Sequence, residues 1–494
     1  MPKRHFLGIF FAFLLCLNLS VSMAISSETA AAAQSGQGSQ KERDLKEWND
    51  KIRLEKFDIV IPQIMRKYNI DMWIHVMREA IHDPFGAEDL GSTSGVFVFT
   101  DRGEDRVERA VLGRRWGKTQ RERSEPSRLV EESGAYDIIA EPVFVAEPVS
   151  SPMTEYDYRF KGLRAFVEAR DPQRIAVNYR ETLGTWPTSS SRRTDDGISH
   201  NDYLLLAEEL GDKYAGRLVS SEYLIMEYGI TPVPSEIELL KKLRRTEVER
   251  VKKALAEIVP GVTKTNELGE TGDHEVDIVV FRRMRTGLSQ RGRSAGWENS
   301  VVQGGDILAA PSQGIYAYVL REGETEPPSD IKKLWAEYLK IKRILVETIR
   351  AGLTPREIIH SYKRRYAPEG IIVREAQLHM TQPKNNFPVY AMGFDPGKTH
   401  LSIDCHGKGK GSRVEKFDIY MGPRIGSYGP DWTHDIPLQP SHHFVLEYFF
   451  YMPSPTSDKD EDQYLFWWDH EQAIATKSGV EFLYPLQEEL CLIR

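Results

Sequence analysis

One carboxylate near the C-terminal end of this 494-residue chain stands alone among apolar residues. Glu447 lies inside residues 445–451, which read VLEYFFY and predict a buried strand. A carboxylate is costly to bury unless it is paired or binds a metal ion. Glu447 is therefore a candidate metal ligand, and the alternative is an amphipathic strand that turns it to solvent.

Three further side chains carry donor atoms in the same part of the chain. Residues 467–474 read WWDHEQAI, predict a second strand and contain Glu471. The charged segment 457–463 would let this strand lie beside the strand of Glu447. His400 and His406 precede both strands. Glu471 could instead be a surface residue, and the two histidines could belong to a loop next to a stretch rich in Lys and Gly.

Other catalytic patterns are missing from the sequence. It contains no Walker phosphate loop, no dinucleotide-binding glycine fingerprint and no nucleophile elbow around a serine. His434 and Asp435 are a close pair, which is weak support for a metal site, and His442 with His443 is most simply a polar strand edge.

The composition bounds the class of protein. Hydrophobic residues make up 40% of the chain and aromatic residues 10%, which is enough apolar surface for sizeable cores and excludes a largely disordered chain. The net charge of -8 gives no global basic field for binding nucleic acid. Only 3 cysteines are present, which excludes a disulfide scaffold.

The N-terminal residues predict export. A basic start, an apolar run and then small residues make residues 1–24 a predicted signal peptide, since the run is short for a membrane anchor. Residues 25–44 begin rich in Ala, Ser, Gln and Gly, which is typical of a flexible linker. We expect a periplasmic or extracellular protein with no membrane segment after cleavage. Cys405 and Cys491 would be its only cysteines, and the sequence leaves their pairing open.

Two domains follow from the pattern of elements. Helices and strands alternate in residues 45–232, which predicts an α/β domain. Prolines at 232 and 234 mark a boundary, and Ser235 is a candidate cap for the long helix that follows. Residues 233–494 contain a weak internal repeat, in which a helix ends, a glycine (Gly261, Gly352) follows and a threonine comes next. In the second copy, Thr354 and Glu357 predict a capping box at the start of a helix. This repeat predicts two related α+β halves or is a coincidence.

Several short motifs occur in an order that resembles a known family. They are residues 171–178 (DPQRIAVN), 196–199 (DGIS), 235–240 (SEIELL), 260–263 (PGVT) and 318–328 (YVLREGETEPP). Together they are similar to the pita-bread metallopeptidases, which include Xaa-Pro aminopeptidases, prolidases and methionine aminopeptidases, and to the related creatinases. The similarity is greatest to a secreted bacterial branch. The resemblance implies a creatinase-type N-terminal α/β domain followed by a pseudo-symmetric pita-bread α+β domain.

The resemblance also implies a chemistry and a set of residues. Members hydrolyse peptide bonds with two divalent ions held by two Asp, one His and two Glu, and the ligand types suit Mn, Co or Zn. Carried over to this sequence, the metal ligands are His400, Glu447 and Glu471, and His406 is the histidine on the substrate side.

Both aspartate ligands of the family are missing here. Gly305 and Asp306 begin the expected strand, but the chain then passes through Pro311 and Ser312 and reaches Gly314 about ten residues too early. Losing two of five ligands implies a degenerate metal site, unless the missing segment reflects an error in the sequence.

Two functions from different classes therefore remain as expectations. The first is an exported Xaa-Pro aminopeptidase-like enzyme that binds a divalent metal and a proline-containing peptide. The second is a non-catalytic relative that keeps a peptide-binding cleft. The resemblance also implies a homodimer.

Overall fold

The structure, a computed structural model, describes most of the chain beyond its N-terminal segment. The described residues are 36–77, 83, 85–92, 94–103, 106–113, 130–131, 133–140, 159–183, 197–264, 278–281, 283–285, 301–374, 398–407, 422–426, 431–453 and 463–494. The predicted signal peptide lies outside them. Within these ranges, none of the helices combines the length and the apolar composition needed to cross a bilayer.

A mixed sheet of six strands forms the centre of the N-terminal part among the described residues. The strands are β1 (Met72–Met77), β2 (Gly95–Asp101), β3 (Val107–Leu112), β4 (Ile138–Ile139), β5 (Ile175–Val177) and β6 (Leu218–Ser220), in the order β4-β3-β2-β1-β5-β6. All of β1 and nearly all of β2 is buried, because helices cover both faces of the sheet.

Helices on each side of this sheet build two apolar cores. They are α1 (Gly36–Glu55), a π-helical turn (Lys56–Val60), α2 (Ile61–Lys67), α3 (Ala87–Leu90), α4 (Leu163–Glu168), α5 (His200–Ala215) and α6 (Glu222–Ile230). The π-turn, α2 and α6 pack on the face that carries Trp73, whereas α4 and α5 pack on the face that carries Ile74. Helix α1 begins inside the segment that was predicted to be a flexible linker.

A long helix, α7 (Pro234–Ala256), connects the two parts of the chain. It begins with Pro234 in its first turn, where the missing N–H costs nothing. The prediction that Ser235 caps this helix is wrong, because Ser235 already lies inside it, and its N–H donates to Glu55 Oε2 at 3.0 Å. Leu239 of α7 is buried in the N-terminal core, whereas Val251 is buried in the C-terminal part.

Two sheets make up the C-terminal part as far as its described residues show. The four-stranded sheet has the order β17-β10-β9-β7 and the seven-stranded sheet follows β11-β12-β14-β15-β16, with β13 on β12 and β8 on β15. The strands are β7 (Val279–Phe281), β8 (Arg283–Arg285), β9 (Ile307–Ala310), β10 (Ile315–Val319), β11 (Ile371–Arg374), β12 (Thr399–Gly407), β13 (Arg424–Gly426), β14 (His443–Pro453), β15 (Gln463–Ala475), β16 (Val480–Phe482) and β17 (Cys491–Ile493).

Two amphipathic helices cover one face of the seven-stranded sheet. They are α8 (Ser329–Thr348) and α9 (Pro355–Tyr366), and a 3-10 turn (Ala367–Glu369) follows them. The predicted capping box at the start of α9 is confirmed, since Thr354 and Glu357 exchange side-chain and backbone hydrogen bonds. A short helix, α10 (Trp432–Asp435), lies before β14.

The predicted fold class is confirmed: an α/β part precedes an α+β part. Gly261 and Gly352, the glycines of the repeat, adopt the predicted left-handed φ of 79° and 91°, but the prediction that they end helices is wrong, because α7 ends at Ala256 and α8 at Thr348. The domain boundary at residue 232 stays a prediction.

Candidate metal centre

Three buried or half-buried side chains on the seven-stranded sheet bring their donor atoms together. One ligand atom from each of His406, Glu447 and His470 lies within 4.8 Å of the other two. His406 Nε2 is 3.2 Å from Glu447 Oε2, and the two imidazole rings have centroids 5.8 Å apart. We call these three residues the His-Glu-His cluster.

The strand register explains why these residues meet. In the antiparallel pair β14–β15, Glu447 is the direct partner of His470, so the two side chains project from the same face. His406 pairs with Val445, two residues from Glu447, and alternation places it on that face too. Three neighbouring strands thus each contribute one donor.

The donor set fits a single divalent ion. Two imidazole nitrogens and one carboxylate oxygen form a common ligand set for zinc and for other first-row metals. Bonds of about 2.0–2.2 Å place ligand atoms roughly 3–4 Å apart, so small side-chain rotations bring this cluster into range. The low exposure of His406 (3%) and Glu447 (9%) favours metal binding, because a buried carboxylate needs a cationic partner.

An ion pair lies next to the cluster on the same face. Asp404 accepts from Arg424 Nε at 2.5 Å and also from Arg424 Nη2, and both residues are buried. Arg424 pairs with His406 in the β12–β13 ladder. Burial raises the pKa of Asp404, while the guanidinium opposes that shift. The pair ties β13 to β12 beside His406.

The opposite face of the same strands carries a second group of buried charges. Lys342 of α8 is fully buried, and its ammonium contacts Asp469 Oδ2 at 3.1 Å and also Glu471 Oε2. The Tyr338 and Tyr448 hydroxyls donate to Asp469 Oδ2 at 2.9 Å and 2.7 Å. We call these five residues the Lys342 network.

The pKa shifts in this network follow from burial and from the charges. Burial raises the pKa values of Tyr338 and Tyr448 well above the ordinary value, so both hydroxyls stay protonated donors. Burial alone lowers the pKa of Lys342, but the two carboxylates outweigh it and raise the pKa overall. Burial raises the pKa of Glu471 to about 7, against the lowering effect of Lys342.

The structure brings together two of the four predicted site residues. His406 and Glu447 are in the cluster. His400 lies on the same face but six residues along β12, which is roughly 20 Å from His406 at strand spacing. Glu471 pairs with Leu446 and therefore projects from the other face, where Lys342 holds its carboxylate.

The sequence prediction did not include His470. Its direct neighbour Glu471 was chosen by resemblance, and a shift of one residue along a strand moves a side chain to the opposite face. The signal available in the sequence was the alternation of side chains along a strand. Trp467 and Ala473 belong to the apolar core, and His470 is an odd number of residues from each, so it lies on the opposite face.

A tight hairpin occupies the place at which the resemblance implies two aspartates. Strands β9 and β10 are joined by residues 311–314, and Pro311 O accepts from His470 N at 3.3 Å. Asp306 lies outside this turn, where its carboxylate accepts from Gln303 N at 2.9 Å. Among the described residues, the hairpin brings no carboxylate to the His-Glu-His cluster.

Comparison with known proteins gives structural neighbours only. No protein-family model and no curated protein sequence matches the chain. It resembles the X-Pro aminopeptidase from Thermotoga maritima MSB8, with 14% identity over 87% of this chain and 100% of that one, at a TM-score of 0.48. The Xaa-Pro dipeptidase from Bacillus anthracis shows 17% identity over 91% and 100%, at 0.44. The prolidase from Pyrococcus furiosus shows 12% over 86% and 99%, at 0.42. Similarity at this level does not indicate an activity. The activity has to be argued from the chemistry of the chain's own residues.

Proposed function

We propose that the chain is an exported, metal-dependent peptidase whose single divalent ion is held by His406, Glu447 and His470. The observation that carries this proposal is the convergence of these three donors on one buried sheet face. The ordered sequence motifs support peptides with an Xaa-Pro N-terminus as the substrate, and residues 1–24 support export.

A divalent ion bound at such a site would make hydroxide available near neutral pH and would polarise the carbonyl of the peptide bond to be cleaved. The chain's own part is to hold and orient the ligands. His406 and His470 offer ring nitrogens, and Glu447 offers a carboxylate that partly offsets the charge of the cation. In this proposal His406 is a ligand rather than the substrate-side histidine. Arg424 and Asp404 keep the edge strand in place beside it.

The first test compares two substitutions that separate the cluster from the ligand set implied by resemblance. We expect His470→Gln to weaken Mn, Co or Zn binding by more than about 100-fold, because even changes around a metal ligand cost 10–100-fold. His400→Gln should leave metal binding unchanged, since His400 lies roughly 20 Å along the strand. Metal content after dialysis and release of the N-terminal residue from Xaa-Pro peptides measure both. Loss of metal in His400→Gln but not in His470→Gln would overturn the assignment.

A second function is favoured by one specific observation. Glu471 is engaged by Lys342, and the chain lacks the family's two aspartates, so the dinuclear chemistry of the family has no ligand set here. The chain would then be a non-catalytic peptide-binding module. A purified protein that binds Xaa-Pro peptides, holds no metal and releases no amino acid would establish this alternative.

A further inference from the structure

The ammonium of Lys342 is surrounded by oxygen atoms in the way that a metal ion is. Its Nζ lies 2.8 Å from the Tyr338 hydroxyl, 3.1 Å from Asp469 Oδ2 and in direct contact with Glu471 Oε2. Two carboxylates and a hydroxyl are hard oxygen donors, which suit Mg, Mn and Ca. The group is buried between α8 and β15, with Lys342 and Asp469 at 0% exposure.

The charges of the group require a cation at this point. Two carboxylates next to each other in a buried position repel, and their ionised forms are costly without a positive partner. The ammonium supplies one positive charge at the centre of the oxygen atoms.

We propose that Lys342 is a built-in cation that fills a second cation site of the sheet, formed by Asp469, Glu471 and Tyr338. The natural chain would then bind one divalent ion, at the His-Glu-His cluster, and not two. Only the ion at the cluster rests on the proposed function. The Lys342 site follows from its own contacts, on the opposite face of β15.

The test is to remove the ammonium and count metal ions. Lys342→Ala leaves two carboxylates and space where the side chain stood, so we expect this variant to bind one Mn²⁺ more than the natural chain. Lys342→Ala with Glu471→Gln removes one carboxylate and should lose the additional ion. Lys340→Ala is the matched control, because Lys340 lies on the same helix but pairs with Glu337 at the surface. Equilibrium dialysis with Mn²⁺ gives the count for each protein.

Two further measurements keep the two proposals separate. Lys342→Ala in a His470→Gln background should still gain one Mn²⁺, whether or not the cluster binds metal. A natural chain that binds no metal therefore contradicts the proposed function and leaves this inference intact. A natural chain that binds two ions, or a folded Lys342→Ala variant that gains none, overturns the inference. If Lys342→Ala fails to fold in metal-free buffer, recovery of folding with Mn²⁺ supports it and failure to recover contradicts it.

Discussion

His442 is a buried histidine outside the cluster whose charge state affects stability. Its ring stacks on Phe444 with centroids 6.0 Å apart, and its Nδ1 has no hydrogen-bond partner among the described residues. Burial, with a smaller contribution from His443, lowers the pKa of His442 to about 3. The folded protein therefore holds this ring neutral at pH values where an unfolded chain would protonate it.

This shift predicts acid sensitivity of a definite sign. Between pH of about 6.5 and 3 the unfolded state binds the additional proton, so stability is lost as the pH falls, by about 1.4 kcal/mol per unit. His442→Leu should remove that share of the slope from urea unfolding curves recorded at pH 7 and pH 4. His360→Leu, which changes an exposed histidine of α9, should leave the slope as it is. Equal slopes in the natural chain and in His442→Leu would contradict the assignment.

At the residue scale, the sequence could identify candidates but not their partners. Glu447 was found because a carboxylate in an apolar strand needs a cation, and this argument holds for one residue at a time. The choice between His470 and Glu471 depends on strand register, which is set by pairing across the sheet. Lys342 gave no sequence signal, because a lysine on an amphipathic helix is usually solvated.

At the scale of elements, the hairpin of β9 and β10 fits closely over β15. Gly314 in its turn has a φ of 68°, and a Cβ built there would lie 1.5 Å from Glu471 Oε1. Lys342 contacts the other oxygen of that carboxylate, Oε2, so Glu471 cannot rotate away without breaking the network. The short turn and the Lys342 network therefore depend on each other.

Gly314→Ala tests this contact against a matched glycine. Gly323 has a φ of 84° and nothing within 4 Å of its built Cβ, so Gly323→Ala carries only the backbone cost of a left-handed residue. We expect Gly314→Ala to lower the free energy of unfolding by about 1–3 kcal/mol more, since overpacking a buried site costs that much. Urea unfolding of both variants gives the difference. The same loss in both would show that the Glu471 carboxylate is not fixed there.

At the scale of the whole molecule, a buried ion pair joins the N-terminal part to α7. Lys56 of the π-turn lies 3.2 Å from Glu236 Oε2, both side chains are 2% exposed, and its ammonium also donates to Tyr228 O at 2.7 Å. A second pair, Lys51 with Glu238, joins α1 to α7 at 3.8 Å but is exposed.

These two pairs predict unequal effects. Lys56→Met leaves the buried Glu236 carboxylate without its ammonium, which we expect to cost about 3–5 kcal/mol. Lys51→Met removes a solvated pair and should cost less than about 1 kcal/mol. Chemical unfolding of each variant measures both values. A loss below 1 kcal/mol for Lys56→Met would mean that the pair contributes little to the joint between the two parts.

The fold at this scale followed from the sequence more fully than the site did. Alternating helices and strands predicted the α/β part, and the long helix predicted after the prolines begins at Pro234. Local signals such as the capping box at Thr354 are encoded within a few residues and were predicted. The packing of α8 against the far face of β15 depends on residues more than a hundred positions apart, as in the Lys342 contact with Glu471.

Helix α7 has a mechanical consequence. It is one continuous rod whose first turns are anchored in one core and whose last turns are anchored in the other. Turning one core about the axis of α7 relative to the other would distort the hydrogen bonds of the helix, because no break separates its two anchored ends. We therefore expect the two cores to turn together rather than independently.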